Sequence, residues 1–489
     1  MNTLYKHFEI LEDPRDIRGK KHELINILIM SIYGILCGYT DFENMADFLE
    51  VHEEYFTQLL DLKNGTPSHD TLSRVFSLID SKKFLDIFVS WIKEIVNDNG
   101  LHISIDGKAI KSARDAINGG NTPYIVSGFL SDIGISIGQV KVDDKSNEIT
   151  AIPELLELLD IQGKIITIDA IGTQENICNL ITNKEKKGDY ILKVKDNQKD
   201  LKDDIKTYFD LGIKRDDTNI IIWDTDYEKD HGRIEKRVYY LSYEIDCISD
   251  KTKWKSVKAI GRIDVHRIEE GKEKITKHYY ILSNKFDINT FVKITREHWN
   301  IECGLHWRLD VILDEDHSRS RVGNSIDNLS LIRKIVFNLT KLDNSMGPNL
   351  TLKKKMTRYT SDFKNIENLI FQVIPSLNWL YVKFLCDCHT IKVKKIIKKW
   401  NNLHFLLIFN KNILNKFISI FKFISININM NNYYVKIMFL FIMLFLVLCG
   451  NPVRANLPLQ GMVIAIDSGH GGLDPGSLYN DIYEKDITL

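Results

Sequence analysis

The chain lacks a net charge: 65 Lys and Arg stand against 66 Asp and Glu, a formal balance of −1. A nucleic-acid surface therefore has to come from local clustering of basic residues and not from a global excess. Cysteine is sparse, with 7 residues (Cys37, Cys178, Cys247, Cys303, Cys386, Cys388 and Cys449) and no CxxC pair among them. That excludes the usual structural zinc spacing and a disulfide framework, and it points to a reducing compartment, the cytoplasm. No secretory signal opens the chain, because Met1–Arg18 is polar and charged. Acid is missing from one long stretch: no Asp or Glu occurs between Asp387 and Asp467. What is present is ordinary globular material, 44% hydrophobic and 27% charged over 489 residues. This length and composition predict about two or three folded units with a real core.

Up to about Asn99 the pattern is helical. Glu23–Cys37 is strongly apolar and Gly38 is a natural C-cap, which predicts a buried helix. Thr40-Asp41-Phe42-Glu43 has the form of a capping box, opening a helix with Phe42, Met45, Phe48 and Leu49 on one face. Gly65-Thr66-Pro67-Ser68 breaks the chain before a short helix over His69–Leu78. Helices about such a turn, with Ser68, His69, Thr71, Ser73 and Arg74 outward, suit a helix-turn-helix DNA reader; a plain packing unit is the alternative.

From His102 the period changes to that of strands. His102–Asp106, Tyr124–Phe129 and Ile135–Val142 predict an antiparallel meander, followed by a helix over Ile152–Leu159 behind Pro153. Lys164–Ile168 is a β-branched run of the kind buried on both faces, and it ends on Asp169. A helix over Gln174–Lys186, a strand at Tyr190–Val194 and a helix through Leu201–Phe209 complete the order of a ribonuclease-H-like α/β fold. A β-rich segment, roughly Ile220–Leu282, then separates the sheet from the stretch Arg296–Arg321. There Ile301, Leu305, Leu309 and Ile312 form an apolar stripe at helical spacing. Arg296, Trp299, Glu302, Trp307 and Arg308 surround that stripe.

Asp106 and Asp169 each fall where a strand is expected to end, a position for which Asp has poor β-propensity. In an open α/β sheet, adjacent strand ends are where ligands collect. With Glu302 on a packed helix, these acids can hold two Mg²⁺ ions, whose other ligands are water and substrate phosphate. Two ions about 4 Å apart suit in-line displacement at phosphorus. For either Asp alone a capping or turn role is the competing reading. His298, Glu302 and His306 also lie four apart, a spacing that resembles a transition-metal site, although hard-ion chemistry fits the distant aspartates better.

Several blocks resemble one family, the bacterial insertion-sequence transposases of the DDE type, H-repeat-associated group, over roughly Phe8–Phe371. They include Leu11-Glu12-Asp13-Pro14-Arg15, Pro67-Ser68-His69-Asp70-Thr71-Leu72, Ile105-Asp106-Gly107-Lys108 and Lys145 through Pro153. Thr167-Ile168-Asp169-Ala170, Lys195-Asp196-Asn197-Gln198, His231 through Glu235, and His298 through Glu302 with Leu305-His306-Trp307 continue the series. The resemblance implies that Asp106, Asp169 and Glu302 are the catalytic and metal-binding triad, with Mg²⁺ or Mn²⁺ as cofactor. It implies cleavage at an element's ends and transfer to target DNA; a homo-oligomer on DNA is one option for the assembly, and the sequence leaves the oligomeric state open. Lys108, Lys195, Arg233, Arg296, His298, Trp299 and Arg308 are the expected DNA contacts. The alternatives are an inactive DNA-binding relic and a cell-wall amidase.

The amidase arises from the tail. Asn410–Asn432 is a low-complexity Asn/Ile/Lys/Phe run, and Lys436 precedes an apolar run, Ile437–Cys449, of signal-peptide form and too short for a comfortable span. Gly461–Leu489 resembles the opening of zinc-dependent N-acetylmuramoyl-L-alanine amidases, with His470 and Glu484 matching two zinc ligands of that family. The third ligand and the catalytic glutamate are not in the chain, so hydrolysis is not expected, and no functional membrane span is expected either. The predicted division is 1–99 helical and DNA-binding; 100–345 catalytic, with a β insertion at about 215–285; and 346–372 a C-terminal segment. A linker over 373–434, a signal-like segment over 435–456 and the amidase fragment over 457–489 complete it.

Overall fold

Helix α2, Leu24–Leu36, has no charged residue and is buried along almost its whole length, so neighbouring helices wrap it on all sides. The computed structural model describes residues 3–371 apart from 17, 19, 97–100, 115–121, 143–147, 231–232, 270–271 and 348–349, together with 478–479 and 482–483. Around α2 lie α1 (Thr3–Glu9), α3 (Phe42–Val51), α4 (Glu53–Leu60), α5 (His69–Leu78) and α6 (Ser81–Val96). Gly38 ends α2 at φ 95°, as the sequence predicts. The N-cap of α3 is Asp41 and not Thr40: the Asp41 carboxylate accepts from Asn44 N–H at 2.9 Å. Thr40 is buried and its carbonyl accepts from Arg333 Nη2 at 3.0 Å. On α5, Leu72, Val75 and Phe76 are buried while His69, Asp70 and Arg74 remain exposed.

The sheet runs β3-β2-β1-β4-β5-β10-β9-β8-β6, with β7 (Glu228–Asp230) paired to β8. β1 (His102–Ala109), β2 (Tyr124–Leu130) and β3 (Ile135–Val142) form the antiparallel meander. β4 (Ile165–Ile168) and β5 (Asp189–Val194) continue it in parallel, connected by α7 (Glu148–Leu158) and α8 (Glu175–Thr182), and α9 (Lys199–Lys214) follows β5. This is the ribonuclease-H-like arrangement. The β-rich insertion, whose strand pairing the sequence pattern leaves open, joins this sheet. β6 (Ile220–Asp224), β8 (Arg233–Ser242), β9 (Ala259–Glu269) and β10 (Lys272–Leu282) extend it, because β10 pairs antiparallel with β5. β5 would otherwise be an exposed edge, and the insertion satisfies its free backbone groups.

After the insertion come α10 (Ile288–Glu297), a π-helical turn (Ile301–His306), α11 (Trp307–Val311), α12 (Ser325–Leu342), α13 (Leu352–Ser361) and α14 (Lys364–Phe371). α12 is buried on every side and joins the helical region to the sheet: Asn328 Nδ2 donates to Phe76 O at 2.8 Å, and Asn338 Nδ2 to Ser136 O at 2.7 Å. α14 returns to the start of the chain, with Tyr5 and Phe371 ring centroids 6.0 Å apart and Tyr55 Oη donating to Glu367 at 2.8 Å. The predicted segments 1–99, 100–345 and 346–372 thus all fall within the compact unit Met1–His389. In the second unit, Thr390–Leu489, β11 (Leu478–Tyr479) pairs antiparallel with β12 (Ile482–Tyr483). The predicted segments 373–434 and 435–456, with His470 and Glu484, lie outside the described residues. Among the described residues no helix is long and apolar enough to cross a membrane, and Cys37, Cys178, Cys247 and Cys303 are free thiols.

Candidate active site

The parallel ladder between β1 and β4 ends at the pair Ile105↔Ile168, so the next residue on each strand, Asp106 and Asp169, emerges at the same edge. β1 does not stop at Asp106 as the alternation suggests. It runs on to Ala109 against β2, with Asp106 opposite Ser127. Asp169 does leave its strand and caps a short turn, its Oδ1 accepting from Ala170 N–H at 2.6 Å. Glu302 reaches the same edge from the π-helical turn, where Ile301 and Leu305, with Leu309 of α11, are buried as the apolar stripe predicts. One extra residue in a helical turn re-aims the side chains that follow it, and such turns recur at functional sites.

A cavity of about 260 Å³ is lined by Asp106, Asp169 and Glu302 together with Lys193, Lys195 and His298. Burial pushes the Asp106 carboxyl up to about 7, and repulsion from Glu148, Glu302 and Asp169 adds to it. Glu302 is raised by desolvation and then by Asp169. Desolvation pushes Asp169 up as well, but the Ala170 N–H, the Lys195 ammonium and His298 outweigh it and hold this carboxyl low. Lys195 Nζ lies 3.2 Å from Asp169 Oδ1. Burial lowers His298 to about 4 and His306 to about 3, which leaves both rings neutral at pH 7.

The spacing of His298, Glu302 and His306 does not produce a shared nitrogen site. His298 Nδ1 is hydrogen-bonded to Thr167 Oγ1 at 2.8 Å, whereas His306 Nδ1 lies 3.5 Å from Asp106 Oδ2. Among the described residues no three His, Cys, Asp or Glu side chains are grouped tightly enough to hold one metal ion between them. The acids share a cavity without closing on a point.

Of the expected DNA contacts, Lys195, His298 and Trp299 line this cavity, and Trp299 is 53% exposed. Lys108 is placed elsewhere: its ammonium is buried between Asp310 and Glu315, 2.6 Å from Glu315 Oε2. Arg296 forms a fork with Glu228, both nitrogens at 2.9 Å, and Arg308 Nη1 donates to Gly304 O at 2.6 Å. Arg233 lies in β8, and its side chain is outside the described residues. Sequence reasoning assigned no role to Glu148, which is buried and repels Asp106. A Cβ on Gly107 would meet Tyr124 Cε1 at 2.2 Å and Glu148 Oε1 at 3.0 Å, so the glycine permits this close approach. The only signal for Glu148 in the sequence is its place in the block from Lys145 to Pro153.

A ribonuclease-H-like sheet with acids at adjacent strand positions and a third on the following helix defines a polynucleotidyl-transferase type of enzyme. Residues 102–339 match the family described as Transposase DDE domain, and residues 5–92 the one described as DDE_Tnp_1-associated. H repeat-associated putative transposase YhhI of Escherichia coli (strain K12) is 35% identical over 371 residues, covering 74% of this chain and 96% of that protein. Putative transposase YncI of Escherichia coli O157:H7 is 36% identical over 350 residues, 70% of this chain and 88% of that one. The chain belongs to the DDE transposase family. Among solved structures, a piggyBac transposase synaptic complex with hairpin DNA aligns over 84% of this chain and 86% of that one, with 10% identity and a TM-score of 0.41.

Proposed function

We propose that Asp106, Asp169 and Glu302 are the acids with which this DDE transposase cleaves and joins DNA. The observation that carries the reading is their convergence, from two strands and a helix far apart in the chain, on one cavity. The residues fit a divalent cation: they offer hard oxygen donors, and the burial and added repulsion that raise Asp106 and Glu302 are what a cation offsets. We assign Mg²⁺, two ions, with Mn²⁺ able to replace it. Such ions supply Lewis-acid stabilisation of the attacking and leaving oxygens at phosphorus. The chain's own part is to hold the carboxylates at the sheet edge and to offer Lys195 and Trp299 to the nucleic acid at the cavity's mouth.

The partners in this reading are the ends of a mobile element and a target duplex, bound by an oligomer of this chain in the cytoplasm. The amidase likeness of 457–489 carries no part of it. With the purified chain and a duplex bearing the element's terminal sequence, strand cleavage is expected on adding Mg²⁺ and is lost with EDTA. Cleavage that proceeds unchanged in EDTA, or none with either metal, overturns the assignment. Lys195→Ala is expected to weaken metal-free DNA binding and to reduce the slope of log affinity against log salt by about 1, as loss of one phosphate contact does. A salt titration of binding measures it, and an unchanged slope removes Lys195 from the interface.

A further inference from the structure

Behind the cavity a buried polar chain leads away from His298. His298 Nδ1 and His102 Nε2 each lie 2.8 Å from the one hydroxyl of Thr167. On the far side of His102, its Nδ1 lies 3.5 Å from Glu297 Oε2, and both of those atoms are buried without a hydrogen-bond partner. His102 is fully buried in β1 and Thr167 in β4, so the chain is part of the sheet's interior.

A threonine hydroxyl has one proton to donate. It therefore cannot satisfy two bare ring nitrogens; at least one of the two histidines has to donate to it. The Glu297 carboxylate selects which, because two acceptors facing each other at that distance repel, and a proton on His102 Nδ1 turns the contact attractive. With one proton on His102, its Nε2 is bare and takes the Thr167 proton. Thr167 Oγ1 then accepts from His298 Nδ1–H. Ser104 Oγ, 3.3 Å from Thr167 and 3.4 Å from His102 Nε2, is the more distant partner of both and lies 2.6 Å from Ser131 Oγ, so the two 2.8 Å contacts of Thr167 set this order.

We infer that Glu297, His102 and Thr167 act as positioning residues that lock His298 as its Nδ1–H tautomer, leaving a bare Nε2 as the ring nitrogen available to the cavity. There it serves as a hydrogen-bond acceptor for the hydroxyl that attacks phosphorus, water in cleavage or a 3′-hydroxyl in strand transfer. This role rests on the proposed function; the tautomer does not. A group that holds a catalytic ring in one tautomer typically changes activity by about 10–100-fold when removed.

The test is nitrogen NMR of the full chain labelled at histidine, with His298 assigned by its loss in His298→Gln. Wild type is expected to show an unprotonated Nε2 at position 298, and Thr167→Val a shift toward the Nε2–H form. Thr167→Ser, which keeps the hydroxyl, is expected to retain the wild-type shifts. With the element-end duplex, Thr167→Val is expected to lose about 10–100-fold in kcat with metal-free DNA affinity unchanged, and Thr167→Ser to recover most of it. A protonated Nε2 in wild type, or shifts unmoved in a folded Thr167→Val, overturns the relay. If wild type cleaves nothing, the function reading fails, and the nitrogen shifts still decide the tautomer.

Discussion

Asp106→Asn is expected to abolish strand cleavage and, in the same sample, to make the metal-free protein harder to unfold. The two effects have one cause. Asp106 is held in a desolvated position among Glu148, Glu302 and Asp169, which lifts its carboxyl from 3.8 to about 7. A carboxyl raised on folding binds its proton more tightly in the native state. Its contribution is therefore favourable below 3.8 and is lost progressively as pH rises from there toward 7. Above pH 7 the ionised group costs the fold up to roughly 4 kcal/mol, since each tenfold change in proton affinity is worth about 1.4 kcal/mol. Asparagine has no charge to desolvate. Thermal melts in EDTA should show the variant gaining over wild type as pH is raised from about 4 to about 8, and little difference below that range.

Cleavage moves the other way, because a neutral amide is a poorer ligand than a carboxylate for the divalent cation that would stabilise the charge gathered at phosphorus. A loss of several kcal/mol of transition-state stabilisation corresponds to about 10³-fold or more in rate. A variant that cleaves within tenfold of wild type would remove Asp106 from the chemistry. One destabilised equally at every pH would mean that the Asp106 carboxyl is not raised by burial and its acidic neighbours.

Much of this site was legible because acids are conspicuous where a strand is expected. Asp106 and Asp169 stand out against β-branched neighbours, and both lie at the edge where the parallel ladder stops. The chain order of three strands and then two helix–strand repeats likewise follows from alternation, the continuous run before Asp169 and the intervening helical stretches, and the fold arranges those strands as β3-β2-β1-β4-β5. What escaped depends on partners distant in sequence. Nothing in the segment Ile220–Leu282 says that its last strand pairs with β5, since edge pairing is set by backbone groups that every residue carries. Lys108 reads as a phosphate contact because it follows Asp106-Gly107, and only the fold brings Glu315 to it. Thr40 and Asp41 are both good N-caps, and the choice between them turns on which backbone is extended, here Asp41 with φ −113° and ψ 161°. The Thr167 relay is invisible for a similar reason: its histidines lie on β1 and just after α10, 2.8 Å from one hydroxyl though remote in sequence.

Glu315→Gln should be among the most destabilising single substitutions in the chain, and it also decides what Lys108 is for. Glu315 is 2% exposed; it accepts from Lys108 Nζ at 2.6 Å and from Ser330 Oγ at 2.7 Å. Against the cost of its burial, the charges of Lys108, Lys334 and Arg333 hold its carboxyl down to about 2. Its contribution is thus present above 4.5 and disappears as pH falls through about 2. Lys334 is the mirror case, pushed down to about 8 by burial with Glu315 opposing. Removing the carboxylate leaves buried ammonium groups uncompensated, which costs about 3–5 kcal/mol. Part of that loss should return as pH rises toward about 8, because without the Glu315 charge that opposes the effect of burial Lys334 sheds its proton below that value; denaturant melts across that range separate this account from a simple packing defect. Lys108→Met combined with Glu315→Gln should cost less than the sum of the single changes, because the pair leaves together. Folded Lys108→Met should bind DNA without metal as wild type does, in contrast to Lys195→Ala. If instead it shows the same loss of affinity and the same shallower salt slope, Lys108 leaves its buried partners to meet phosphate, and the sequence-based expectation for it stands.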